Sequence, residues 1–399
     1  MNNNNVFWLI GILAASIIGL FVVGVVLARE STEPQTLSSI SNEQVNEAQQ
    51  PTEQISEEEE IKPEQPTMTH ITTPNPVRAV YMSSWVASTP SMRDKIINLI
   101  DTSEINAVVI DIKDATGRVS FLVNDTVIAE TGSPKDLIKD ISGIIKTLHE
   151  KNIYVIGRIS VFQDPYLTHE KPEWALKSKS TGAIWKDRKG LSFLDPTKQE
   201  VWDYIVRLAQ ESYQKGFDEI NFDYIRFPSD GNIKDIAYPT SIASKADAIE
   251  LFFQHIHKEM SASSITTSAD LFGLTTEATD DMGIGQILEK ALPNFDFIAP
   301  MIYPSHYPKG YQGFQNPASK PYEVVTIAMK SGVARAKALG MGPEKFRPWI
   351  QDFDLGATYT ASMIRDQIKG LNEQGINSYM VWDPANSYTT AAYTKESSI

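Results

Sequence analysis

The segment 216–228, GFDEINFDYIRFP, places polar side chains where a strand buried on both faces would be apolar throughout. Ile220 and Phe222 share one parity and Asn221 and Asp223 the other, so the apolar pair can face outward while Asn221 and Asp223 point inward. A carboxylate at the end of a buried strand is costly without partners. Arg158 and Arg226 are the cations expected to keep Asp223 ionised, since a nearby positive charge lowers a carboxyl pKa. An ionised carboxylate facing a protonated one is the pair that cleaves glycosidic bonds: one assists the leaving oxygen, the other is nucleophile or base. Asp270, ending TTSADL, and Asp352, ending FRPWIQD, are the carboxyl groups expected to work with Asp223. The competing roles are structural: an ion pair for Asp223, and loop caps for Asp270 and Asp352.

Polar and aromatic residues at the ends of other β runs form the expected binding set. These are Trp85, Asp111, Arg158, Asn221, Tyr224 and Arg226, followed by Tyr303, Trp382 and Asp383. Flat rings beside polar groups suit sugar faces. The insertion 162–197, with Trp174, Trp185, Lys186, Asp187 and Arg188, is expected to wall one side of a cleft.

Eight β-rich runs must position these groups: 78–84, 106–112, 153–160, 218–224, 264–271, 295–302, 346–352 and 377–383. Amphipathic stretches lie between them. At 200–215, Val201, Tyr204, Ile205, Leu208 and Ala209 follow helical spacing and Gly216 stops the helix. A second helix is expected over 136–150. The alternation predicts an α/β fold, a (β/α)8 barrel over 77–399, whose functional residues gather at the C-terminal ends of the strands. The last helix should be short, because only sixteen residues follow Asp383. An open doubly wound sheet is the rival, but no GxGxxG follows the first strand.

Composition narrows the chemistry. The 399 residues contain no cysteine, which excludes disulfides, thiolate nucleophiles and Cys-ligated zinc. Six histidines without HExxH spacing predict no catalytic metal, and no cofactor is expected. No GxSxG elbow or Walker loop occurs. A net charge of −14 argues against nucleic acid as partner. Much of that charge is local: residues 29–76 hold ten Glu against one Arg and one Lys. This Glu/Pro/Gln-rich stretch reads as a disordered tether. Before it, the 23 uncharged residues 6–28 are long enough as a helix to cross a bilayer core of ~30 Å. Residues 1–28 therefore read as a transmembrane anchor, with cleavage near Ala28 as the alternative.

The motif NFDYIRFP (221–228), with LDPTKQEVWDYI (194–205) upstream, resembles the glycoside hydrolase domain family called domain of unknown function 4015. VRAVYMSSW (77–85), AVVIDIKDATG (107–117), APMIYPSHY (299–307) and YMVWDPAN (379–386) follow in that family's order. The resemblance implies a TIM barrel and a glycosidase. A more distant likeness is to family 18 chitinases, with Asp218, Asn221 and Asp223 at their acidic positions. Ile225 stands where their catalytic Glu would be, which excludes their substrate-assisted reaction. By analogy with amylase-like barrels, Asp223 is the nucleophile, Asp270 the acid and Asp352 the third carboxylate. The expectation is a glycoside hydrolase acting on a polysaccharide or envelope glycan. The alternative is a surface-tethered barrel that binds glycans without cleaving them. A monomer is expected, anchored in the lipid bilayer through residues 6–28 with the barrel extracytoplasmic.

Overall fold

The computed structural model describes residues 68–239 and 243–394. The expected membrane span at 6–28 and the tether up to residue 67 lie outside the described residues. Among those described, no helix is long and apolar enough to cross a membrane.

Eight parallel strands close into a barrel. They are β1 Arg78–Met82, β2 Ala107–Lys113, β3 Tyr154–Ser160, β4 Glu219–Asp223, β5 Thr266–Phe272, β6 Phe297–Met301, β7 Trp349–Gln351 and β8 Tyr379–Trp382. Each pairs with the next in sequence, and β8 returns to β1, with Arg78 opposite Tyr379. Closure removes the open-sheet alternative. Helices cover the connections, among them α1 Pro90–Thr102, α2 Ile141–Glu150, α3 Gln199–Gln214, α4 Lys245–Ala262, α5 Leu288–Ala291, α6 Pro321–Ala338 and α7 Ala361–Asn372. Helix α2 starts five residues later than its apolar pattern predicts, because the Asp140 carboxylate caps the amide of Gly143 and fixes the first turn there. After β8 the described chain forms only a short 3-10 turn, Thr390–Ala392.

The strand alternation sorts side chains into two cores. Val108, Ile110, Ile220 and Phe222 pack outward against the helices. Ala79, Tyr81, Val109, Ile156, Trp349 and Met380 fill the barrel interior. Burying each large aliphatic or aromatic side chain contributes about 1.5–3 kcal/mol. The N-terminal end of the barrel is closed by residues 68–76, the last part of the acidic stretch. Ile71 packs against the interior core, and its amide donates to Asp218 Oδ1 at 2.7 Å. His70 stacks on Tyr213 with ring centroids 3.8 Å apart.

At the opposite end, the long β3–α3 connection builds a small module. Lys177–Ser178 pairs antiparallel with Ile236–Ala237 from the connection after β4. Trp185 is buried there with Leu176, Phe193 and Ile236, and its indole N–H donates to Asn232 O at 3.1 Å. Trp174 packs on Tyr204. Trp185 is thus committed to the packing of this module, while Trp174 is half-buried.

Candidate active site

The inward row of β4 is Glu219, Asn221 and Asp223. Across the register, Arg158 on β3 lies opposite both Asn221 and, on its other side, Asp111 of β2. On β5, Ala269 pairs with Phe222, so Asp223 and Asp270 are the next residues up on adjacent strands. The parity argument thus brings Asp111, Arg158, Asp223 and Asp270 into one cluster at the strands' C-terminal ends.

Arg158 is its centre. Its Nη1 donates to Asp111 Oδ1 at 2.7 Å, while Nη2 and Nε donate to Asp223 Oδ2 at 2.5 and 3.1 Å. The same Nε lies 3.9 Å from Asp270 Oδ2. The two facing carboxylate oxygens of Asp223 and Asp270 are therefore at most about 7 Å apart. Asp270 Oδ1 accepts from Asn221 Nδ2 at 2.9 Å and from the indole of Trp349 at 2.8 Å. Tyr81 donates to Asp111 Oδ2 at 2.5 Å. Burial, reinforced by the charge of Asp223, holds the Asp270 carboxyl well above the usual carboxylate range despite Arg158. Burial also raises Asp111. Two carboxyl groups with contrasting partners, one bonded to a cation and one to neutral donors, can divide acid and base roles.

Backbone geometry marks the same place. Tyr224 takes a left-handed conformation, φ 53°, which in a non-glycine residue costs about 1–3 kcal/mol. That turn aims its amide at Asp223 Oδ1, 2.5 Å away, and fixes the carboxylate at the strand end. Burial raises the Tyr224 phenol.

The aromatic lining is partly as expected. Trp382 stacks on Tyr81 with centroids 4.2 Å apart and meets Trp349 edge-on at 5.6 Å, and Arg158 lies 5.3 Å from its ring. Tyr303 is buried against Phe353 and His306. Burial raises its hydroxyl pKa, and the charges of Asp270 and Asp223 add to this, which places it beside the carboxylates. Trp85, three residues beyond the last residue of β1, Met82, is 64% exposed.

Other expected residues have different places. Asn221 is fully buried beneath the carboxylates, bonded to Asp270 and Ser268, so it supports the site from below. Arg226 lies over Phe272 and donates to Phe227 O and Ser229 Oγ, so its hydrogen bonds go to its own loop and not to Asp223. Asp352 is not brought to the cluster. Trp349 faces the interior, so by alternation Asp352 points outward, where it accepts from Thr389 N, Thr389 Oγ1 and Tyr393 OH at 2.7–2.8 Å. Asp383 follows the inward Trp382 and likewise turns away. It caps its own loop through the amides of Ala385 and Ser387, and burial raises its pKa to about 6. Asp218 faces the N-terminal end with His149, and Ile225 is buried in the outer core.

Sequence reasoning did not single out Tyr81, Glu219 or Ser268. Tyr81 has the parity of Ala79 at the end of β1, and Glu219 shares the parity of Asn221 and Asp223. The same alternation rule was sufficient to find both.

Several solved structures are similar to this chain. A hypothetical protein from Ruminiclostridium thermocellum is 34% identical over 51% of this chain and 98% of its own, with a TM-score of 0.44. The PgaB (BpsB) glycoside hydrolase domain from Bordetella bronchiseptica superposes with a TM-score of 0.59 at 15% identity, covering 81% of this chain and all of that domain (100%). A Flavobacterium johnsoniae chitobiase gives 0.50 at 11% identity, over 79% of this chain and 47% of its own. At such identities the last two likenesses speak for the barrel alone. No curated protein matches the chain. Residues 79–388, from the first barrel strand to the segment beyond the last, match the family model described as a putative glycosyl hydrolase domain (domain of unknown function 4015), and the chain belongs to that family.

Proposed function

We propose that this barrel hydrolyses O-glycosidic bonds of a polysaccharide or envelope glycan, with Asp223 as nucleophile or base and Asp270 as acid. The observation that carries the reading is the pair itself. Two inward carboxyl groups on adjacent strands share one guanidinium nitrogen, at 3.1 and 3.9 Å, and so lie within about 7 Å of each other. Paired-carboxylate glycosidases hold these groups about 5–5.5 Å apart for retention and about 6.5–9.5 Å apart for inversion. A limit of about 7 Å between the facing oxygens is compatible with either range.

In this scheme the Asp270 proton passes to the leaving oxygen as the glycosidic bond breaks. Asp223, held in place by the two N–H donors of Arg158, attacks the anomeric carbon or takes a proton from the attacking water. Trp85 and Trp382 offer faces for sugar rings. With residues 6–28 as a bilayer anchor, the barrel would meet its glycan outside the membrane.

Reducing-end release from a panel of envelope and storage polysaccharides tests this. Hydrolysis of at least one glycan by the full-length chain supports it. Retention of a glycan without any release would favour the binding reading instead.

A further inference from the structure

Beneath the carboxylate pair runs a line of hydrogen bonds whose directions are fixed by an ion pair at its base. Near its base Arg347 donates to Glu219 Oε1 and Oε2 at 2.8 and 2.7 Å, an ion pair with no exposure to solvent. A carboxylate held by a guanidinium accepts hydrogen bonds and has none to give. Ser268 must therefore direct its hydroxyl proton at Glu219 Oε1, 2.6 Å away. Its oxygen is then an acceptor toward Asn221, 3.0 Å away, and this requires the NH2 end of the Asn221 amide to face it. The second N–H of that amide reaches Asp270 Oδ1 at 2.9 Å, where the indole N–H of Trp349 also arrives at 2.8 Å. Both are donors without acceptor capacity at those hydrogens. Asn221 Oδ1 has no partner among the described residues, so nothing at that end reverses the amide.

We infer that Asn221, Ser268, Glu219 and Trp349 are positioning residues that confine the Asp270 proton to Oδ2, the oxygen facing Arg158 and Asp223. Oδ1, meeting two donors, serves as the carbonyl end. The acid's proton is thereby turned towards Arg158 and Asp223, and the ion pair below sets its direction. This rests on the proposed role of Asp270 as acid, but its test does not depend on turnover.

The test is infrared difference spectroscopy of the full-length chain carrying isotope-labelled aspartate. A protonated-carboxyl carbonyl band that disappears in Asp270→Asn belongs to Asp270. Trp349→Phe removes one donor from that carbonyl, so the band should move to higher frequency. Should Trp349→Phe fail to fold, Ser268→Ala asks the same question by releasing the Asn221 amide, and the band should again rise. A band unmoved in the folded variant, or no band lost in Asp270→Asn, overturns the inference. The band behaving as stated in a protein that cleaves no glycan would refute the hydrolase reading and leave the proton's position standing.

Discussion

Replacing Arg158 by methionine removes the one cation between three carboxyl groups while keeping most of the side-chain volume. Arg158 is buried and donates three hydrogen bonds, one to Asp111 and two to Asp223. Each charge-assisted bond contributes about 1.5–3 kcal/mol, but the desolvation of the guanidinium offsets part of the sum. Deleting one partner of a buried ion pair costs about 3–5 kcal/mol, because the other charge remains buried and unpaired. The cost should depend on pH in a definite direction. Burial already raises the Asp111 carboxyl with the cation present, and loss of Arg158 raises it further above that of the unfolded chain. The folded state then binds more protons than the unfolded state, so the variant's stability falls as pH rises. The deficit should be smallest near pH ~4, where unfolded aspartates also begin to protonate, and reach about 3–5 kcal/mol near pH ~7. Urea unfolding of wild type and variant across that range, followed by tryptophan fluorescence, measures it. A deficit below ~1 kcal/mol at neutral pH, or one that grows toward acid, would refute the reasoning.

Further outcomes follow from the other contacts. Because burial raises Asp270, it should hold its proton at neutral pH and lose it as pH climbs; kcat should fall about tenfold per pH unit on the alkaline side, a limb that Asp270→Asn should abolish along with most of the rate. Trp85→Ala should weaken glycan binding about fivefold, equivalent to ~1 kcal/mol for a lost ring contact, and leave the unfolding midpoint unchanged because the ring is exposed. Asp352→Ala should do the reverse: it strands Thr389 and Tyr393, costing about 2–3 kcal/mol in urea unfolding, with kcat unaffected below the transition.

The strands were legible because each needs only a short β-rich run, and a closed parallel barrel buries every one on both faces. Alternation then located Asp223 correctly: Ile220 and Phe222 lie in the outer core, and the polar residues between them face inward. The errors at Asp352 and Asp383 came from treating a strand-end carboxylate as inward without extending its own strand's parity. Ile350 and Val381, two residues before each, are in the outer core, and a period of two carries the aspartates to the same side. Asn221 was placed on the correct face but at the wrong depth, because parity gives a direction and not a level along the barrel axis. Trp185 lies in an insertion that reads only as a cleft wall in sequence, and it is the core of a module assembled from two separate loops. A pairing between Lys177–Ser178 and Ile236–Ala237, some sixty residues apart, leaves no local signal.

The most direct measurement compares reducing-end release by wild type and Asp223→Asn on the glycan that the polysaccharide panel identifies. The account predicts a loss of at least about a thousandfold in kcat, with glycan binding and the folded state retained. A variant that hydrolyses within about tenfold of wild type would contradict it.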